Sequence, residues 1–207
     1  RENVIVVAHL DSVNHPGGPN ANAPGADDNA SGSAGVLTLA AACAGHEFAH
    51  DITFILFGGE EQGLHGRTQF VASLPPADRA RTRAVLNMDM IGSVNATPPA
   101  VLLEGAAPSQ SLIDGLANAA AQFTTLTVQT SLNPFASDHV PFINAEIPAV
   151  LTIEGADTVK ACMERKLLVN CTQGTVIRLL PAMNLTDQQA HEGCDILAEV
   201  IKQQAGG

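Results

Sequence analysis

Histidine and carboxylate side chains close three separate apolar runs in this sequence. V-I-V-V-A-H-L-D-S ends at His9 and Asp11, I-T-F-I-L-F-G-G-E-E ends at Glu60 and Glu61, and A-V-L-N-M-D-M-I-G carries Asp89. A fourth group comes from P-G-A-D-D-N-A-S-G, where Asp28 stands on a glycine-containing turn just ahead of a helix-like segment. Taken singly, most of these have an ordinary structural use. A histidine can end a strand in a hydrogen bond, an aspartate can cap a helix, and Glu60 and Glu61 can open a helix whose dipole favours them. Asp89 is harder to place that way, because a carboxylate between Met88, Met90 and Ile91 in a buried run needs a partner. If His9, Asp28, Glu61 and Asp89 converge, three carboxylates share a small volume and repel one another unless cations hold them. A mixed imidazole and carboxylate set suits zinc, with cobalt or manganese as substitutes, better than a thiolate site or an all-oxygen calcium cage.

Convergence requires elements that bring these ends together. Apolar, β-branched runs bounded by turn residues recur at Asn3–His9, Ile52–Phe57, Ala84–Met90, Ala100–Leu103 and Ala149–Ile153 and read as buried strands. Between them, Ser31–Ala44, Gln62–Ala72 and Ser109–Phe123 carry helical patterns. The first has a cap at Asn29 or Ser31 and an apolar face of Val36, Leu39, Ala40 and Cys43. Alternating strands and helices of this length imply crossover connections. The expected fold is α/β, with a mostly parallel, mixed β-sheet sandwiched between α-helices. In such sheets reacting groups gather beyond the carboxyl ends of the strands, where the acids and the histidine stand here. Asp157–Leu180 has no clean periodicity, and Thr186–Gln203 again reads as an amphipathic helix.

Length and composition are consistent with one domain, since 207 residues with 45% apolar content can fill a sizeable core. A net charge of −11 argues against nucleic acid or an anionic membrane as partner. The ten Lys and Arg are scattered apart from Arg79, Arg81 and Arg83, which read as a solvated helix face. No run approaches a membrane span, and Arg1 opens directly onto a strand, so the segment reads as part of a longer protein. Cys43, Cys162, Cys171 and Cys194 lack C-x-x-C spacing. Cys43 reads as a core thiol, and Cys162 and Cys171 could pair in an oxidising compartment.

The strings A-H-L-D-S, P-G-A-D-D-N-A-S-G, G-G-E-E-Q-G-L-H-G, L-N-M-D-M-I-G and A-S-D-H-V-P-F, the last followed by I-P-A-V, together resemble the zinc metallopeptidase family of secreted bacterial leucyl aminopeptidases. Glutamate carboxypeptidases and glutaminyl cyclases are relatives of that family. The resemblance implies a phosphorylase/hydrolase-like catalytic domain with two zinc ions. His9 and Asp89 would hold one ion, Glu61 and a later histidine the other, and Asp28 would bridge them. Glu60 would be the general base, and Asp11 would accept a hydrogen bond from His9 to fix its tautomer. The same resemblance implies peptide substrates with a free amino terminus near Asp89, a secreted or periplasmic location, and a substrate-side place for Asp138 and His139, whose structural use is an equal alternative.

The pattern departs from the family after Gly155. Family members supply the last zinc ligand from an H-T-x-x-D-T-L type loop, and none stands here. The later histidine is His191 in A-H-E-G-C-D-I-L, whose spacing to Asp195 and Leu197 imitates that loop, yet the segment reads as helix and only sixteen residues follow. His191 as ligand and His191 on a helix surface both remain open. His15, His46, His50 and His65 match no ligand position. The functional alternatives are a carboxypeptidase or amidase of the same superfamily, or a metal-binding or interaction domain without turnover.

Overall fold

The structure, a computed structural model, describes residues 1–14, 17–18, 20–155, 170–172, 176–178 and 186–205. The chain divides into two compact units, residues 1–93 with 101–154, and residues 94–100 with 155–207.

In the first unit the apolar runs form one six-stranded sheet. Its strands are β1 (Asn3–His9), β2 (Asp51–Phe57), β3 (Thr82–Met88), β4 (Ala100–Glu104), β5 (Thr127–Ser131) and β6 (Ala149–Glu154), in spatial order β2-β1-β3-β6-β4-β5. β2, β1, β3 and β6 are parallel, and β4 runs antiparallel to β6. The sheet is therefore mixed and mostly parallel. Period-two alternation sends Ile5 and Val7 to one face and Val6 and Ala8 to the other. On the first face Ile5, Val7, Phe57, Val85 and Ala149 meet Val71 of α2 (His65–Ser73) and Phe142 of α5 (Val140–Asn144). Phe57, Phe70 and Phe142 tilt against one another there, with ring centroids 5.6 to 6.4 Å apart. On the second face Val6, Ala8 and Met88 pack on Val36 of α1 (Ala30–Cys43), while Val101, Leu103 and Val150 pack on Ile113 of α4 (Gln110–Phe123).

Asn29 caps α1, its side chain accepting the Gly32 N–H. The buried stripe of this helix is Gly32, Ser33 and Val36. This corrects the expected Val36, Leu39, Ala40 and Cys43 face: Leu39 is exposed and Cys43 half-buried. Small residues win because the helix start lies almost on the β3 backbone, where a Cβ on Gly32 would collide with the Met88 carbonyl and the Asn29 amide oxygen. The first is backbone and the second belongs to an amide pinned by hydrogen bonds to Gly32, Met88 and Met90, so Gly32→Ala is expected to lower the unfolding free energy by about 3 kcal/mol in urea titration. A loss near zero would show that the two elements can part without cost.

Other differences are local. α2 begins at His65 rather than Gln62, because residues 60–64 form a turn in which Gly63 and Leu64 N–H groups both donate to the Glu60 carbonyl and Leu64 takes φ +65°. Arg79 and Arg81 lie on α3 (Pro76–Arg81), but Arg83 is on β3, so the three do not share a helix face. The sequence pattern gave no sign of β5, whose T-V-Q-T-S is too polar to read as a strand, or of the five-residue α5.

In the second unit, β7 (Asn170–Thr172) pairs antiparallel with β8 (Val176–Arg178), and α6 spans Asp187–Ala205, as the Thr186–Gln203 pattern indicated. Among the described residues no helix is long and apolar enough to cross a membrane. The proposed Cys162–Cys171 pairing and His15 fall outside what is described.

Candidate functional site

Parallel strands put their carboxyl ends on one edge, and register does the rest. Val7 of β1 stands beside Asn87 of β3, so two residues further on His9 reaches the level of Asp89. On the other side His9 pairs with Phe57, and Gly58 and Gly59 carry the chain from there to Glu60. Gly59 adopts φ +72°, and the Gly58 and Gly59 carbonyls accept N–H groups from Gly66 and His65, folding the acidic pair back over the sheet edge.

His9 is 1% exposed. Its Nδ1–H donates to the backbone carbonyl of Asp11 at 3.0 Å, which aims Nε2 at Asp89 Oδ1 and Asp28 Oδ1, each 3.3 Å away. The fixing partner is thus the Asp11 carbonyl. The Asp11 carboxylate lies 3.7 Å from Nδ1 and accepts the Glu61 N–H at 3.0 Å, so the same residue locates the imidazole and the backbone of the glutamate pair. Nitrogen or oxygen atoms of His9, Glu60 and Asp89 all lie within 4.8 Å of one another.

Asn29 joins Asp28 to Asp89. Its Oδ1 accepts the N–H groups of Gly32 and Met90, and its Nδ2 donates to the Met88 carbonyl at 3.0 Å. The peptide groups on both sides of Asp89 are therefore held by the residue next to Asp28. Asp27 strengthens the link, accepting Gly92 N–H at 2.9 Å and Ser93 O–H at 2.7 Å. Asp89 Oδ2 accepts Ser137 O–H at 2.7 Å, and Ser137 Oγ accepts an Asn87 amide hydrogen.

The rest of A-S-D-H-V-P-F disperses to other partners. Asp138, fully buried, pairs with Arg67, and His139 Nε2 lies 3.4 Å from Glu104 Oε1. Arg67 also reaches Glu60, Nη2 to Oε1 at 3.7 Å. Sequence reasoning missed Arg67, Asn29 as a tether, and Ser137. Arg67 had a visible signal, being the cation directly after G-G-E-E-Q-G-L-H-G. Phe142 is core, while His46, His50 and His65 are exposed. His191 is an exposed residue of α6 in the second unit.

The electrostatics report a shortage of positive charge. Burial works against an imidazolium at His9, but hydrogen bonds to Asp28 and Asp89 and the charges of Asp89 and Glu60 outweigh it, raising His9 to about 11. Burial pushes Glu60 up to about 7, with Asp89 and Glu61 adding to the rise and His9 and Arg67 opposing it. Glu61 also rises to about 7, from burial first and then from Asp28. The leading carboxylate neighbour of Glu60 is thus Asp89, and that of Glu61 is Asp28. Acids that keep protons into the neutral range around a clamped imidazole call for cations, and nitrogen with carboxylate oxygen is a donor set that fits zinc.

A model of Peptidase family M28 matches residues 1–204, including the segment after Gly155 where the motifs depart from the expected pattern. Leupeptin-inactivating enzyme 1 of Streptomyces exfoliatus is 33% identical over 195 residues, covering 93% of this chain and 40% of the relative. An aminopeptidase from Aneurinibacillus sp. strain AM-1 superposes with a TM-score of 0.62 at 31% identity, covering 74% of this chain and 35% of that one. BSAP, a zinc aminopeptidase from Bacillus subtilis, superposes with a TM-score of 0.66 at 23% identity, covering 98% and 46%, and shares the fold. The chain therefore spans less than half the length of these relatives. With the family match running almost from end to end, and the acid-tipped parallel strands bringing His9, Asp28, Glu60 and Asp89 together, the chain belongs to Peptidase family M28.

Proposed function

We propose that this chain is the catalytic portion of a zinc aminopeptidase that hydrolyses the first peptide bond next to a free α-amino group. The observation that carries this reading is the convergence of His9, Glu60 and Asp89 within 4.8 Å, with Asp28 3.3 Å from the same imidazole nitrogen. The names of the relatives, aminopeptidases among them, support the substrate class.

Each residue has a distinct task. His9 and Asp89 would hold one zinc ion and Glu61 a second, with Asp28 serving as a ligand to both. Asp11 fixes the imidazole through its carbonyl and the glutamate pair through its carboxylate. Two zinc ions, when bound, polarise a scissile carbonyl and acidify water. Glu60 takes the proton from the attacking water and passes it to the departing amine, a task that requires a carboxylate uncommitted to metal beside one that is committed. The free amino terminus of the substrate sits near Asp89 and the other acids of the site, and this excludes internal peptide bonds. Secretion accompanies the reading, on the resemblance to exported leucyl aminopeptidases.

Zinc-loaded protein is expected to cleave leucine p-nitroanilide and to leave N-acetyl-leucine p-nitroanilide intact, with two zinc ions per chain by elemental analysis. Equal cleavage of the acetylated substrate would instead favour an amidase. Metal binding without cleavage of either would favour a binding domain.

A further inference from the structure

We propose that Arg67 is a positioning residue for the Glu60 carboxylate, anchored for that task by Asp138. This rests on Glu60 being the general base.

Arg67 stands in the first turn of α2 and is 0% exposed, so it meets neither substrate nor bulk water. A guanidinium withdrawn from water needs charged partners, and this one has two. Nη1 pairs with Asp138 Oδ1, and Nη2 lies 3.7 Å from Glu60 Oε1. Asp138 is also 0% exposed, so the anchoring pair has no competition from solvent. The 3.7 Å contact is longer than a hydrogen bond, which leaves the Glu60 oxygens free to handle a proton while their position is held by charge. The planar fork suits the arrangement: one nitrogen faces each carboxylate, a span the single ammonium of lysine does not reproduce.

Topology explains why such a brace is needed. Glu60 sits on the turn between β2 and α2, whose Gly59, Gly63 and Leu64 all take positive φ. Asp138 precedes α5, which packs against the same sheet face as α2. Through Arg67 the turn carrying the base is tied to the segment that also delivers Ser137 to Asp89. One short string, Ser137-Asp138, thereby locates Asp89 directly and Glu60 through the guanidinium.

Arg67→Met alone would strand Asp138 as a buried, unpaired charge, so the informative variant is Arg67→Met with Asp138→Asn, which removes both charges together. With zinc-loaded protein and leucine p-nitroanilide, this double variant is expected to keep its zinc content and KM while kcat falls by about 100-fold, the scale of a misplaced reacting group. Arg67→Lys is expected to fall between it and the parent. In metal-free protein, Glu60→Gln relieves the repulsion from Asp89 and Glu61 in either background, and its melting-temperature shift is expected to be less favourable in the parent than in the double variant, because only the parent loses a partner for Arg67. A folded, zinc-loaded double variant with parental kcat, or equal Glu60→Gln shifts in the two backgrounds, overturns the proposal. The general-base assignment fails separately, if Glu60→Gln itself retains turnover.

Discussion

Glu60→Gln is expected to reduce kcat on leucine p-nitroanilide by about 10²–10⁴-fold, the range supplied by a positioned acid–base group, while zinc remains bound. The substitution is nearly isosteric and still accepts hydrogen bonds, but an amide cannot carry a proton from water to a leaving amine. Zinc content decides the meaning of the loss. Glu60 offers an oxygen within 4.8 Å of the donor atoms of His9 and Asp89, close enough to be a ligand as well as a base. If turnover and metal disappear together, Glu60 is a ligand and the base must be sought elsewhere, with Glu61 the first alternative. If turnover disappears and both zinc ions stay, the division of labour between the adjacent glutamates stands.

Zinc at a thousand times its Kd is expected to stabilise the fold by about 4 kcal/mol, a rise of about 10 °C in melting temperature for a chain of this size. The cause is the site itself. Asp28 and Asp89 meet one imidazole nitrogen at 3.3 Å each, and both glutamates are held up at about 7, so cations relieve repulsion that the folded chain alone must carry. A chelator should reverse the gain. Asp89→Asn retains the acceptor for Ser137 but removes a charge that metal needs, so the zinc-dependent rise is expected to vanish in that variant. A parent whose melting temperature ignores zinc and chelator alike would count against a metal centre in this position.

The clearest parts of the fold to read from sequence were those set by burial. β1 matches the apolar run Asn3–His9 residue for residue, and β2, β4 and β6 extend theirs by one residue, because strands covered on both faces must be continuously apolar. The apolar run Ala84–Met90 starts and ends two residues later than β3. Asp89 and Met90 lie beyond it, with Met90 at φ +49°, since the chain turns aside there to present the carboxylate. The polar edge strand β5 and the short α5 lacked any burial signal strong enough to see.

By itself the sequence determined which chemistry was available: an imidazole and acids at the ends of runs that had to be parallel strands, plus an aspartate on the first connecting turn. Those properties follow from residue type and local periodicity, which are written in adjacent positions. Only the tertiary structure decided who holds whom. That Asp11 fixes His9 through a carbonyl, that Asn29 grips both sides of Asp89, and that Arg67 joins Glu60 to Asp138 are contacts between residues up to 71 positions apart. They depend on strand register and on the close approach of α1 to β3, and no local pattern encodes either.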